Sequence, residues 1–81
     1  MGAPPDGTGS VFVTLLEPGV FTAIWQGEAQ NAEDYVDVTG SRQEVVDWVG
    51  RCRARVFMAF VPQRDEYVAF TVNASHVDLP I

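Results

Sequence analysis

The residue types that carry most catalytic chemistry are scarce in this chain. It contains one His, His76, one Cys, Cys52, and no Lys, against 11 acidic residues and five Arg. His76 stands two residues before Asp78, but a general base also needs a third group to orient it and a pocket in which to act. We therefore expect His76 to be a solvated side chain near the end of the chain.

Cys52 stands between Arg51 and Arg53, and neighbouring cations can lower the pKa of a thiol. The helical phase described below turns this thiol inward, which favours a core Cys instead. With Arg55, the two arginines form a small basic cluster at the end of the expected helix, where cations complement the helix C-terminus. The sequence thus predicts a protein that is not an enzyme and has no cofactor and no metal.

Four acidic residues lie close together in the middle of the chain. They lack the D-x-D-x-D-G spacing of a calcium loop. One interpretation is a solvated acidic rim, and another is a recognition surface for an Arg-rich partner. In the second case the chain would be an antitoxin or immunity-type inhibitor of a basic toxin or nuclease, steered by its charge. The four residues are Glu28, Glu33, Asp34 and Asp37.

Composition excludes several classes of partner and predicts one small domain. The net charge is −6, which argues against binding of nucleic acid or an anionic membrane surface. Apolar residues make up 47% of the 81 positions, enough for a globular core. No apolar run spans a membrane and no signal peptide is apparent, so we expect a cytoplasmic protein. Arg without Lys indicates a GC-rich, bacterial genome.

One local signature predicts a helix. Ser41 and Glu44 have the S-x-x-E spacing of a capping box, directly before an apolar run of helical period. The helix is expected over residues 42–53, with one apolar stripe facing a sheet. That stripe consists of Val45, Trp48, Val49 and Cys52.

Five segments have strand-type patterns, and they surround the helix in the order β-β-β-α-β-β. This order predicts an α+β domain, an antiparallel five-stranded sheet with one amphipathic helix packed on one face. Pro18 and Gly19 should turn the first two strands into a hairpin with a bulge or a longer loop. Residues 1–9 are expected to be a flexible tail, 10–72 the domain and 73–81 a second tail. The strands are expected at 11–16, 20–26, 34–39, 56–61 and 67–72.

One helix can cover only one face of such a sheet, yet the strands are apolar on both faces. Three solutions stay open: the sheet curls on itself, it forms a homodimer, or it binds another protein. We expect the first hairpin to be the part of the sheet that the helix does not cover. The candidate interaction surface is therefore Phe12, Leu16, Phe21 and Trp25.

The main functional hypothesis is a non-catalytic interaction or accessory module that self-associates or binds a protein partner through an apolar sheet face. The acidic inhibitor described above is an alternative. A second alternative is a small-molecule-binding domain with a pocket between helix and sheet, around Trp25 and Trp48.

Overall fold

The computed structural model describes residues 9–27, 35–73 and 76–81. In chain order the elements are β1 (Gly9–Glu17), β2 (Val20–Gly27), β3 (Tyr35–Gly40), α1 (Arg42–Arg51), β4 (Val56–Val61), β5 (Glu66–Ala69), β6 (Val72–Asn73) and β7 (His76–Val77). Five of these strands form one sheet, in the order β3-β2-β1-β4-β5, and β6 and β7 pair separately. The predicted α+β class, with one helix and a five-stranded sheet, is confirmed.

The sheet is mixed, and the prediction of a wholly antiparallel sheet is wrong. β1 pairs antiparallel with β2, and β2 pairs antiparallel with β3. β1 and β4, however, are parallel. The cause is α1, because a helix returns the chain to the end of the sheet at which the preceding strand began. β4 therefore runs in the direction of β3, which is also the direction of β1.

The first hairpin turns at Pro18 and Gly19, as predicted. Gly19 has a φ of 83°, the left-handed conformation that glycine adopts without steric cost. Glu17 pairs with Val20, and the register shifts between Leu15 and Glu17. The expected bulge is therefore present, and it leaves Leu16 without a cross-strand partner in the β1–β2 register.

The capping box of α1 is confirmed. The hydroxyl of Ser41 accepts the Glu44 N–H at 3.2 Å, and the Glu44 carboxylate accepts the Ser41 N–H at 3.1 Å. The helix ends at Arg51, two residues earlier than predicted, because Cys52 has extended backbone angles. Of the helices in the described ranges, none has the length and apolarity needed to cross a bilayer.

The core lies between α1 and one face of the sheet. The helix packs over β2 and β3 and also contacts β6 and β7. From α1 itself, Val45 and Trp48 are fully buried and Val49 is nearly so. From the sheet, the largest buried contributions come from alternate residues of β1 and β2: Val11, Val13, Phe21, Ala23 and Trp25.

Residues 76–81, expected as part of a C-terminal tail, pack against the helix side of the domain. Leu79 is only 7% exposed and belongs to the core. The guanidinium of Arg42 donates to the carbonyl oxygens of Leu79 at 3.2 Å and Ile81 at 3.0 Å. The segment is thus held by polar contacts as well as by apolar burial. The expected N-terminal tail, apart from Gly9 in β1, lies outside the described residues.

Candidate functional site

The cross-strand register divides the side chains of the sheet into two faces. Val13, Ala23 and Val38 are aligned across β1, β2 and β3, and all three are buried under α1. Their neighbours along each strand point to the opposite side, which we call the open face. The open face is formed by Ser10, Phe12, Thr14, Glu17, Val20, Thr22, Ile24, Gln26, Tyr35, Asp37, Thr39, Val56, Met58, Phe60, Tyr67 and Ala69.

Three rings on the open face form an aromatic cluster, consisting of Phe12, Phe60 and Tyr67. Tyr67 lies edge-on to Phe12, with centroids 5.7 Å apart, and edge-on to Phe60 at 5.4 Å. Edge-to-face contacts of this kind are a preferred aromatic geometry. Tyr67 nevertheless remains 47% exposed. The cluster is therefore ordered by its own ring contacts and still presents an aromatic surface.

Aliphatic side chains extend this surface across the sheet. Phe12 is paired with Ile24 on β2 and with Met58 on β4, and all three are partly exposed. Val56, two residues before Met58 on the same face, is 43% exposed. The apolar part of the open face therefore runs from β2 through β1 and β4 to Tyr67 on the edge strand β5.

The open-face side chains toward the β3 edge and the β1–β2 turn are mostly polar, with Val20 and Tyr35 as the exceptions; Tyr35 is 48% exposed. Thr14, Thr22 and Thr39 are aligned in one row across β1, β2 and β3. The hydroxyl of Thr39 lies 3.2 Å from that of Thr22, which donates to the carbonyl of Val38 at 3.0 Å. Asp37 lies on the edge strand β3. The open face is thus apolar from the middle of the sheet to the β5 edge and mostly polar toward the β3 edge.

The structure separates the four residues predicted to form one interaction surface. Phe12 lies on the open face and Leu16 is 58% exposed at the bulge. Phe21 and Trp25 are each 6% exposed in the core on the helix side. The expectation that the first hairpin lies away from the helix is wrong, because α1 follows β3 and folds back over both β3 and β2.

Five apolar residues of the open face were not among the predicted interaction residues: Ile24, Val56, Met58, Phe60 and Tyr67. For β4 the signal was present in the sequence, since Val56, Met58 and Phe60 alternate along the strand. The continuous apolar run of this strand obscured which of its two faces is exposed.

Only one of the four acidic candidates falls within the described residues. Asp37 is exposed on the open face and is paired with Ile24 of β2. Glu28, Glu33 and Asp34 lie outside the described residues. The acidic recognition surface therefore stays a prediction.

The predicted pocket position between helix and sheet is occupied by core side chains. Trp25 and Trp48 are 6% and 0% exposed, respectively. The indole N–H of Trp25 donates to the carbonyl of Arg53 at 2.9 Å. The indole N–H of Trp48 has no acceptor among the described residues. Both rings belong to the buried core, and the small-molecule-binding alternative stays a prediction.

A groove of about 390 Å³ lies on the outer side of α1, next to β6 and β7. Its lining includes Asp47, Arg51 and His76. The Asp47 carboxylate accepts a hydrogen bond from Gln43 at 2.8 Å, and the Asp47 carbonyl accepts one from Arg51 at 3.3 Å. These hydrogen bonds lie within α1, so the polar groups that make them are not directed together into the groove toward a ligand.

The two residues considered for nucleophilic or acid–base chemistry are poorly placed for it. Cys52 is buried as predicted, at 7% exposure. Burial raises the pKa of its thiol to about 11, although Arg51 acts in the opposite direction. His76 is exposed, with Nε2 4.0 Å from the Asp78 carboxylate. Within the described ranges, no three His, Cys, Asp or Glu side chains are grouped to hold a metal ion.

No protein-family model, curated protein or solved structure was found that matches this chain. Its function must therefore be inferred from its own surface, and the open face is the most distinctive part of that surface.

Proposed function

We propose that this chain is a non-catalytic interaction module that binds a protein partner through the open face. The observation that carries the proposal is the aromatic cluster, in which Tyr67 is held by Phe12 and Phe60 and yet is 47% exposed. An ordered aromatic side chain loses little conformational entropy on binding, and aromatic residues are enriched in protein interfaces.

The energetic gain from covering this face is considerable for so small a protein. Removing about 100 Å² of aromatic surface from water is worth roughly 2–3 kcal/mol, at about 25 cal/mol per Å². Tyr67 alone exposes a surface of that order. Val56, Met58 and Ile24 add aliphatic area beside it. A partner that covers the open face therefore gains from several adjacent side chains at once.

The strand order supports an external partner over coverage by the sheet itself. The hydrogen-bonded order begins at β3 and ends at β5, so these two edges do not pair with each other among the described residues. A sheet that closed into a barrel would join them. The aromatic cluster lies beside the β5 edge and is not enclosed by closure of the sheet.

Photo-crosslinking in the cells from which the chain comes tests the proposal. A benzophenone-bearing phenylalanine analogue replaces Tyr67, and the matched control carries the same analogue in place of Arg51, which is exposed at the end of α1. We expect protein adducts, either with another copy or with a different protein, from position 67 and not from position 51.

The proposal fails if position 67 gives no protein adduct, or gives the same adducts as position 51. Circular dichroism of both proteins should match that of the unmodified chain, which confirms that each variant is folded. Position 67 suits the analogue because it is already aromatic and lies on an edge strand.

A further inference from the structure

We infer that the partner of the open face is a second copy of this chain. This inference rests on the proposed function, because it names the occupant of the same face. It draws on the distribution of charge over the face, on the arrangement of apolar and polar residues, and on the area that the face offers.

Charge favours a second copy over a basic protein. Among the open-face residues that the structure describes, the charged side chains are Asp37 on the edge strand β3 and Glu17 beside the β1–β2 turn, although the chain carries a net charge of −6. A face whose two carboxylates both lie at its margins offers little to attract a strongly basic surface. Two copies brought together on this face would also keep most of their negative charge away from the contact. At physiological salt, charges separated by more than about 8 Å are largely screened.

The arrangement of residues suits a self-complementary contact. Phe12 lies on β1, the central strand of the sheet, with Ile24 and Met58 on either side. Asp37 and the threonine row lie on the β3 side, and the aromatic cluster lies on the β5 side. A two-fold contact centred near Phe12 would place apolar groups of one copy on those of the other. The polar β3 side would then lie at the periphery of the contact, where interfaces are commonly polar and solvated.

The area of the face limits the strength of such a dimer. Five strands about 4.8 Å apart and about six residues long give a projected face of roughly 24 by 20 Å. Because side chains make the face uneven, its accessible area is larger than the projected area of about 480 Å². It is still at or below the roughly 800 Å² that each partner buries in an interface of standard size. We therefore expect a dissociation constant in the micromolar range, since a small interface must also offset the entropy of association.

Sedimentation velocity on the purified chain, from about 1 μM to about 1 mM, covers this range of affinities. The expected result is a concentration-dependent shift from 8.9 kDa to twice that mass. Added salt should leave the affinity unchanged or increase it, because the contact is apolar and the copies carry the same charge.

Two open-face variants and one control locate the contact. Tyr67→Arg and Val56→Arg each place a charge at an exposed position of the open face, and each should weaken dimerisation at least tenfold. Gln43→Arg introduces the same charge on α1 and should leave dimerisation unchanged. Circular dichroism and urea unfolding establish that all three variants fold.

A chain that remains at 8.9 kDa up to about 1 mM overturns the second copy as the partner. So does a dimer that persists in both open-face variants, because its contact would then lie elsewhere. If the chain is monomeric while position 67 crosslinks a different protein, the interaction module stands and only the second copy is rejected. If position 67 crosslinks nothing, the proposed function fails as well.

Discussion

The indole N–H of Trp25 donates a hydrogen bond to the backbone carbonyl of Arg53 at 2.9 Å, and this contact joins β2 to the connection between α1 and β4. Trp48, the other indole of the core, is fully buried and has no acceptor for its N–H among the described residues. The two tryptophans can therefore be compared directly, because the indole N–H of Trp25 has an acceptor and that of Trp48 has none in the part of the chain that the structure describes.

Replacing each tryptophan with Phe should show how much the hydrogen bond of the Trp25 indole contributes to stability. Both variants lose ring volume, but Trp25→Phe also breaks a hydrogen bond, whereas Trp48→Phe removes a buried, unpaired donor. We expect Trp25→Phe to lower the free energy of unfolding by about 1–2 kcal/mol more than Trp48→Phe. Urea unfolding of both variants, followed by circular dichroism, measures the difference. Equal losses would show that the Trp25–Arg53 bond contributes nothing.

Gly9 is required by close packing against β2. A Cβ at this position would overlap the carbonyl oxygen of Gln26 and would lie 2.8 Å from the Trp25 ring. Gly9→Ala must therefore displace either the backbone or the buried indole, and we expect it to destabilise the protein by about 1–3 kcal/mol. Thermal unfolding measures this loss. An unchanged melting temperature would mean that β1 can shift away from Trp25 at no cost.

At Gly50, replacement by Ala should stabilise the protein, which is the opposite of the effect expected at Gly9. A Cβ there would meet only the Val77 side chain, at the ordinary contact distance of 3.4 Å. Because Gly is poor in helices, Gly50→Ala should raise the free energy of unfolding by up to about 1 kcal/mol. The gain should lie toward the lower end of that range, since Gly50 is in the last turn of α1. A loss of stability on the same thermal scan would indicate that Val77 cannot accommodate the methyl group.

Local patterns of the sequence were sufficient to predict α1 and the approximate positions of the five strands of the main sheet, but not the short strands β6 and β7. Ser41 and Glu44 set the start of the helix through contacts three residues apart, so no knowledge of the rest of the fold is needed. The bounds of β4 were likewise predicted correctly. The end of β5 was predicted three residues too late. Phe70 no longer belongs to the strand, although its N–H still donates a hydrogen bond to the carbonyl of Phe57.

The arrangement of the strands depends on contacts that are distant in sequence. The parallel β1–β4 pair follows from the direction in which α1 returns the chain, and it could have been deduced from the predicted order. The face of the sheet that the helix covers could not be deduced in this way, because β1, β2 and β4 are apolar on both sides. That ambiguity placed Phe21 and Trp25 on the candidate surface and omitted Met58 and Tyr67. The docking of Leu79 depends on Arg42, 37 residues earlier.

Ser41 should contribute measurably to stability through its hydroxyl. Ser41→Ala leaves the Glu44 N–H without its capping acceptor, and we expect a loss of about 0.5–2 kcal/mol in the free energy of unfolding. Ser41→Asp, which restores an acceptor at the same position, is the matched control and should recover most of the stability. If both variants are equally unstable, the hydroxyl is not the source of the effect.

Glu44 should make part of the helix stability depend on pH. Hydrogen bonds from the backbone N–H of Ser41, and then from its side chain, hold the pKa of Glu44 below its ordinary value of 4.5. Since the folded pKa is lowered, the contribution is present above pH 4.5 and is lost as the pH falls through the folded pKa. Urea midpoints between pH 6 and pH 3 should therefore fall more steeply for the native chain than for Glu44→Gln. Identical pH profiles would contradict this role.

Cys52 should be unreactive in the folded protein and should destabilise it at high pH. Burial raises the pKa of the thiol from 9.0 to about 11, so at pH 8 an aromatic disulfide reagent should label it far more slowly in the native state than in urea. The unfolded chain loses this proton first as the pH rises. Stability should therefore be unaffected below pH 9 and should decline from there toward pH 11. Cys52→Ala lacks this titration, so its free energy of unfolding should fall less over the same interval. Rapid labelling of the native chain, or parallel pH profiles for the two proteins, would show that the thiol is not held in the core.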